Sequence, residues 1–116
     1  MDILIRQELT EEYKTTEDVI KKAFLNERYS NKKEHLLVNR IRKSDAFIPE
    51  LSLVTINQNK EIVGHILLSK ITIVDNDKVV DSLTLAPVAI APLYQRKGIG
   101  SLLIQDALKK AKKNWI

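Results

Sequence analysis

The apolar residues of one predicted strand change face part-way along it. Leu83 and Leu85 occupy odd positions, whereas Val88 and Ile90 occupy even positions. Because side chains alternate between the two faces of a strand, this change requires one extra residue between Leu85 and Val88. Such an insertion is a β-bulge, and Pro87 suits a bulge because it donates no N–H. The sequence therefore predicts a strand that separates here from its neighbour and leaves main-chain groups free.

A turn and an amphipathic helix follow the predicted strand. The turn contains Gln95, Arg96, Lys97, Gly98, Ile99 and Gly100. Main-chain N–H groups at the positive end of a helix form a binding site for phosphate. Gly98 and Gly100 have no Cβ, so a phosphate group can approach the backbone closely. The common P-loop pattern is absent, and Leu103 replaces the third glycine of the dinucleotide-binding pattern.

The pattern Gln95-x-x-Gly98-x-Gly100 after a strand and the Ala91-Pro92-Leu93-Tyr94 link closely resembles the acetyl-CoA motif of the GNAT superfamily of N-acetyltransferases. The resemblance extends more loosely back to Ile3. It implies that acetyl-CoA binds as a co-substrate, with its pantetheine arm on the bulged strand and its pyrophosphate at the turn. The residues that it assigns to the cofactor are Val88, Ala89, Ile90, Gln95, Arg96, Lys97, Gly98, Ile99, Gly100 and Ser101. A structural bulge without any ligand is the alternative interpretation.

The pattern of apolar and turn-forming residues predicts one α+β domain over residues 1–116, of the three-layer α/β type, in the order β-α-α-β-β-β-α. It indicates a mixed, mainly antiparallel sheet with flanking helices, as in the GNAT fold. Strands are expected at residues 3–9, 51–57, 62–74 and 79–91, with residues 47–50 as a connection and residues 75–78 as a hairpin turn. Capping patterns predict one helix start at Thr15 or Thr16 and another at Asn31, and the last helix follows the glycine turn.

The resemblance also implies a difference from the family. GNAT proteins continue after the pyrophosphate helix into further strands and a helix, which supply part of the acceptor wall and often a tyrosine that protonates the thiolate. Here the sequence ends at residues 114–116, where the next strand is expected. A fragment, a shortened gene product and a swapped dimer all stay open. We expect a homodimer that forms near the uncovered strand edge.

Catalytic residues are not identified by the sequence. Several GNAT enzymes carry an acid at the position that Thr84 occupies, and Asp81 is the nearest upstream carboxylate. His65 alternates with apolar residues, which favours a packed histidine over a base. His35 lies among charged residues, and core packing explains Tyr94 as well as a role at the phosphate turn does.

Composition limits the classes of function. The chain has no cysteine, so it has neither disulfides nor a thiol nucleophile, and no metal site is predicted. No long apolar run and no signal-peptide pattern occur, and a cytoplasmic location without membrane contact is expected. Part of the net charge of +4 lies at Lys109, Lys110, Lys112 and Lys113, which suit a solvated helix end or an anionic partner. With 5% aromatic residues, nucleic-acid binding is not expected.

The sequence thus predicts acetyl-CoA-dependent acetylation of a primary amine on a small molecule or peptide that it does not identify. A non-catalytic module that binds CoA or a protein partner is the alternative, and a small nucleic-acid-binding protein is the third interpretation.

Overall fold

Among the residues that the structure describes, five antiparallel strands and three α-helices make up the fold. The computed structural model describes residues 2–28 and 30–114. Its elements are β1 Ile3–Gln7, α1 Tyr13–Phe24, α2 Glu34–Arg42, β2 Phe47–Asn57, β3 Ile62–Asp75, β4 Lys78–Leu85, β5 Ala89–Ile90 and α3 Ile99–Asn114. The strands pair in the order β1-β2-β3-β4, and β5 continues the line of β4 along β3. The predicted α+β class and element order are confirmed.

Helices cover both faces of the sheet, which gives three layers. On one face, α1 and α2 contribute Ile20, Ala23 and Val38 to an apolar cluster with Leu67, Ala86 and Ala89 of the sheet. On the other face, α3 packs against Leu53, Ile66 and Leu68 with Ile99, Leu103, Ala107 and Ala111. Helical spacing in the sequence predicts an apolar stripe of Leu102, Leu103, Ala107 and Ala111 after Ile99. The structure places all of these in the core except Leu102, which is 47% exposed.

The hairpin of β3 and β4 extends beyond the rest of the sheet. The last pair between β2 and β3 in this direction joins Phe47 to Ser69, and further along β3 pairs with β4 alone. At the tip, Asn76 and Asp77 have φ values of 47° and 67°. Two consecutive left-handed residues are what a two-residue type I′ hairpin turn requires, so the predicted turn is confirmed.

The predicted start of the first helix is wrong. Helix α1 begins at Tyr13, not at Thr15 or Thr16, and a short helical turn at Thr10–Glu12 precedes it. The Oε1 atom of Glu12 accepts the N–H of Leu9 at 2.9 Å, and both carboxylate oxygens accept hydrogen bonds from the guanidinium of Arg6. A carboxylate in this position uses a main-chain donor that the helical turn leaves unpaired.

Two strand boundaries also differ from the prediction. Strand β1 ends at Gln7 rather than at residue 9, although the N–H of Glu8 still donates to the carbonyl of Ser52 at 2.8 Å. Residues 47–50 belong to β2 and are not a connection, since Phe47 already pairs with Ser69. The register shifts between Phe47 and Ser52, and this irregular segment accommodates Pro49. Residues 115 and 116, where the family's next strand was expected, lie outside the described residues.

Candidate functional site

The predicted bulge separates β4 from β5. Leu85 lies opposite Leu68, whereas Ala89 lies opposite His65. Three residues, 86–88, therefore face only two residues of β3. The N–H of Ala86 still donates to the carbonyl of Leu67 at 2.9 Å, so the extra residue lies between this bond and the pairing of Ala89. The one-residue insertion predicted from the phase of the apolar residues is confirmed.

The apolar residues around the bulge keep to one face of the sheet. Leu83, Val88 and Ile90 all pack against the cluster that α3 covers, whereas Ala86 and Ala89 belong to the opposite cluster. Leu85, which was expected on the first face, is 47% exposed and belongs to neither cluster. Because of the extra residue in the bulge, Val88 and Ile90 lie on the same face of the sheet as Leu83, the face that α3 covers.

Main-chain groups of Ile90 point away from the sheet. The N–H of Ala91 donates to the carbonyl of Val63 at 2.8 Å, so Ala91 faces β3. The main-chain N–H and C=O groups of neighbouring residues in a strand point to opposite edges. Those of Ile90 therefore point away from β3, and its carbonyl accepts a hydrogen bond from the side chain of Gln95 at 2.9 Å. The N–H of Ile90 therefore points toward the open edge, whereas that of Ala89 points toward β3. Contact of residues 88–90 with a cofactor stays a prediction.

Gln95 fixes the turn that precedes α3. Its Nε2 donates to the carbonyls of Ile90, at 2.9 Å, and of Ala23, at 3.3 Å. One side chain thus joins β5, the end of α1 and the turn. Sequence reasoning assigned Gln95 to the cofactor, and the structure adds this positioning role. Nearby, the hydroxyl of Tyr94 accepts a hydrogen bond from Asn57 at 3.0 Å.

The turn itself exposes the N-terminus of α3. Arg96 and Gly98 have φ values of 64° and 82°, and Ile99 begins the helix with only 2% of its surface exposed. The first intrahelical bond runs from the N–H of Leu102 to the carbonyl of Gly98 at 3.2 Å. The preceding N–H groups of the first turn have no partner within the helix, which is the arrangement that binds anions.

Space in front of this turn suits a phosphate group. A Cβ added at Gly98 would meet no atom within 4 Å, and one added at Gly100 would only touch Val88 at 3.8 Å. The side chains of Arg96, Lys97 and Ser101 are exposed beside this space. The ten predicted cofactor residues thus lie along one continuous path, from the bulge through the turn to the first residues of α3.

A buried polar network lies between the sheet and α2. Arg42 Nη2 donates to Glu8 Oε2 at 2.6 Å, and Ser52 Oγ donates to Glu8 Oε1 at 2.8 Å. Ser52 Oγ also lies 3.2 Å from His65 Nε2. Arg42 further contacts the ring of Tyr13, with 4.2 Å between the guanidinium carbon and the ring centroid. Of these residues the sequence singled out only His65, because the others come from separate elements and form no local motif.

His65 is a neutral, structural histidine in this network. Since the Ser52 hydroxyl donates to Glu8, it accepts from His65, and this assigns the proton to Nε2. Nδ1 is buried and has no hydrogen-bond partner among the described residues. Burial and the positive charge of Arg42 lower the pKa of His65 to about 3. The expected packed and hydrogen-bonded histidine is therefore observed.

The other catalytic candidates do not meet at the bulge. Asp81 is exposed on β4 and accepts a hydrogen bond from Thr72 at 3.3 Å. His35 is half-buried on α2, and Tyr94 binds Asn57. Within residues 2–28 and 30–114, no group of three or more His, Asp or Glu side chains could hold a metal ion. None of the helices in this part of the chain is long and apolar enough to cross a membrane.

Comparisons with known proteins agree with this geometry. The model of the acetyltransferase (GNAT) family matches residues 6–115. A GNAT family acetyltransferase from Brucella melitensis, solved with acetyl-CoA, has a TM-score of 0.86 and 28% identity over 98% of this chain and 71% of its own. YhbS of Escherichia coli, a GNAT family N-acetyltransferase solved with CoA, has a TM-score of 0.75 and 16% identity over 96% of this chain and 57% of its own. A GNAT family acetyltransferase from Staphylococcus aureus has a TM-score of 0.64 and 18% identity over 97% of this chain and 80% of its own. No curated protein sequence matches significantly.

Proposed function

The chain belongs to the acetyltransferase (GNAT) family, and on this premise we propose that it binds acetyl-CoA and transfers the acetyl group to a primary amine. The single observation that carries the proposal is the continuity of the bulge with the phosphate-type turn. The edge-facing N–H of Ile90 and the N–H groups of residues 98–101, which have no partner within the helix, lie eight to eleven residues apart in one segment. A ligand with a phosphate end and an amide-rich arm suits this segment.

Two groups of residues would bind such a ligand, one at its phosphate end and the other along its arm. Main-chain N–H groups of residues 98–101 would hold the pyrophosphate, and Arg96 and Lys97 would add positive charge near it. The N–H of Ile90 would donate to the pantetheine arm or to the thioester carbonyl. The side chain of Gln95 would keep the phosphate-binding turn at a fixed distance from Ile90, because it donates a hydrogen bond to the carbonyl of Ile90.

The reaction exchanges one bond for another at the thioester carbon. The nitrogen lone pair of the neutral amine forms a C–N bond with the acetyl carbon as the C–S bond breaks. The amine proton leaves to water, and the thiolate of CoA leaves and takes up a proton from water. A main-chain N–H that donates to the carbonyl oxygen stabilises the negative charge that develops there. We propose water as the proton carrier because the neutral His65 is fully buried.

A CoA-binding module without catalysis is the second candidate. The observation that favours it is the environment of the bulge, where Asp81, His35 and Tyr94 do not converge. Thr84, at the position where several GNAT enzymes carry an acid, is exposed on β4. A homodimer, an amine acceptor of small or peptide size and the cytoplasmic location expected from the sequence remain parts of the proposal.

Two measurements test the proposal in order. Calorimetry with CoA should give saturable binding with one site per chain, and the absence of binding would refute both candidates. Acetyl-CoA is then mixed with a panel of primary amines, and the released thiol is measured. Amine-dependent thiol release with formation of the acetylated amine supports the transferase. CoA binding without release supports the binding module.

A further inference from the structure

A cleft lies between α2 and the bulge, next to the proposed position of the thioester. Its volume is about 350 Å³, and its lining residues are Asn31, Lys33, Glu34, Leu37, Arg40 and Pro87. Pro87 is the middle residue of the three that form the bulge. Leu37 is 38% exposed, and with Pro87 it gives the cleft an apolar floor. The polar residues form its rim.

The rim carries an excess of positive charge. Lys33 and Arg40 are exposed, and within the part of the chain that the structure describes neither side chain forms an ion pair. Glu34 is the one carboxylate in the lining, and it already accepts a hydrogen bond from Ser30. The side chain of Asn31 accepts the N–H of Lys33 at 2.8 Å. Two cationic groups thus face the cleft with their donors available.

We infer that the acceptor carries an anionic group beside its amine, and that Arg40 and Lys33 bind this group. The inference rests on the proposed function, because it places the amine end at Pro87. A planar guanidinium donates two parallel hydrogen bonds to a carboxylate or a phosphate, and an ammonium adds a point charge. An amine held at its anionic end would direct its nitrogen across the apolar floor toward the thioester. A neutral amine has no such anchor.

Matched pairs of amines test this charge selection. β-Alanine is compared with 3-aminopropanol, and 2-aminoethyl phosphate with ethanolamine, by the kcat/KM of acetyl transfer. We expect at least one anionic amine to exceed its neutral partner in kcat/KM by about tenfold, which corresponds to ~1.4 kcal/mol, because two cationic side chains can donate charge-assisted hydrogen bonds to the anionic group. The pair that shows the preference distinguishes a carboxylate from a phosphate. Equal rates within both pairs, or a preference for the neutral amines, would overturn the inference.

Substitutions test whether Arg40 and Lys33 cause the preference for anionic amines. Arg40→Gln and Lys33→Gln should reduce the preference toward one by raising the KM of the anionic amine much more than that of its neutral partner. Lys43→Gln, at the C-terminal end of the same helix, is the matched control and should keep the preference. An equal loss for both amines of a pair would contradict a role in charge selection.

Binding measurements keep the inference separate from catalysis. The CoA-saturated protein is titrated calorimetrically with the same four amines. Tighter binding of an anionic amine that Arg40→Gln abolishes supports the inference even when no acetyl transfer occurs. Equal binding of charged and neutral amines overturns it, while the affinity for CoA itself still decides the proposed function.

Discussion

Arg42 and Glu8 form an ion pair inside the protein, with 2.6 Å between Nη2 and Oε2. Solvent reaches 3% of the Arg42 side chain and none of the Glu8 side chain. The pair connects the end of α2 to the chain directly after β1, which are 34 residues apart in sequence. Removal of one partner leaves a buried charge without compensation, which is far more costly than the loss of an exposed pair.

The Arg42→Met variant should therefore lose about 3–5 kcal/mol of its free energy of unfolding in urea. The double variant with Glu8→Gln should lose less than the sum of the two single variants, because the second change removes the unpaired charge. Lys22→Met is the control, since Lys22 pairs with Asp18 on the surface of α1. A loss for Arg42→Met no larger than for Lys22→Met would contradict this account of the network.

The free energy of unfolding should decrease in acid, in part because the pKa of His65 is lowered in the folded state. The folded state holds its pKa near 3, while in the unfolded chain it returns to about 6.5. Between these values the unfolded state binds a proton that the folded state does not, so the free energy of unfolding decreases as the pH falls. The slope from this residue reaches at most about 1.4 kcal/mol per pH unit. Urea unfolding between pH 7 and pH 4 should show a weaker dependence of stability on pH for His65→Gln than for the wild type, and equal dependences would contradict this role of His65.

CoA affinity should depend on the space at Gly100. A Cβ there makes only an ordinary contact with Val88, so Gly100→Ala should fold normally and bind CoA with little change. Gly100→Val places two further methyl groups before the helix N-terminus and should weaken CoA binding by about tenfold or more, as measured by calorimetry. Lys110→Ala, toward the other end of α3, should leave affinity unchanged. Undiminished affinity in a folded Gly100→Val would rule out this position for the pyrophosphate.

Deletion of Ala86 should destabilise the fold. It removes the extra residue of the bulge, so a strand that keeps its pairing at Ala89 must present Leu83 to the wrong face of the sheet. Moving a large apolar side chain from the core to solvent costs roughly 1.5–3 kcal/mol, and Leu83 packs against the cluster that α3 covers. Thermal unfolding should show a clearly lower Tm for the deletion than for Leu85→Ala, whose side chain is already 47% exposed. Equal melting temperatures would contradict the role given to the bulge.

Self-association should occur at the edge formed by β4. Among the described residues β4 has no strand on its outer side, and Val74 and Val79, which pair with each other, are 71% and 67% exposed. Unpaired main-chain groups beside apolar side chains favour pairing with a second copy. Sedimentation at micromolar concentration should show a dimer, and Val79→Lys should shift it toward monomer. A wild-type chain that stays monomeric would refute the predicted homodimer.

Local alternation was sufficient to predict the bulge. The phase of Leu83, Leu85, Val88 and Ile90 lies within one segment, and period-two geometry converts it directly into an extra residue. The hairpin turn at residues 75–78 was predictable for the same reason, since two short polar residues favour left-handed conformations locally. The start of α1 was not predictable in this way, because the helix follows a turn at Thr10–Glu12 in which Arg6 and the N–H of Leu9 hold the Glu12 carboxylate.

The buried network could not be derived from local patterns. Glu8 and Ser52 are 44 residues apart, and their hydrogen bond depends on the pairing of β1 with β2. In the sequence alone, where the pairing of the strands is not known, Glu8 and Ser52 resemble ordinary surface residues. The charged rim of the cleft has the same origin, because Arg40 and Pro87 come together only when α2 packs on the sheet.

The projecting end of the β3–β4 hairpin has a consequence for local unfolding. Beyond Lys70, whose N–H still donates to the carbonyl of Ala46, its main-chain pairing joins only two strands, and its exposed side chains contribute little to either core cluster. A two-stranded ribbon is only marginally stable by itself. The amide hydrogens between residues 71 and 82 should therefore exchange with solvent through partial opening, at rates independent of global unfolding. Such a unit could lengthen or shorten by residue pairs without altering the segment that precedes α3.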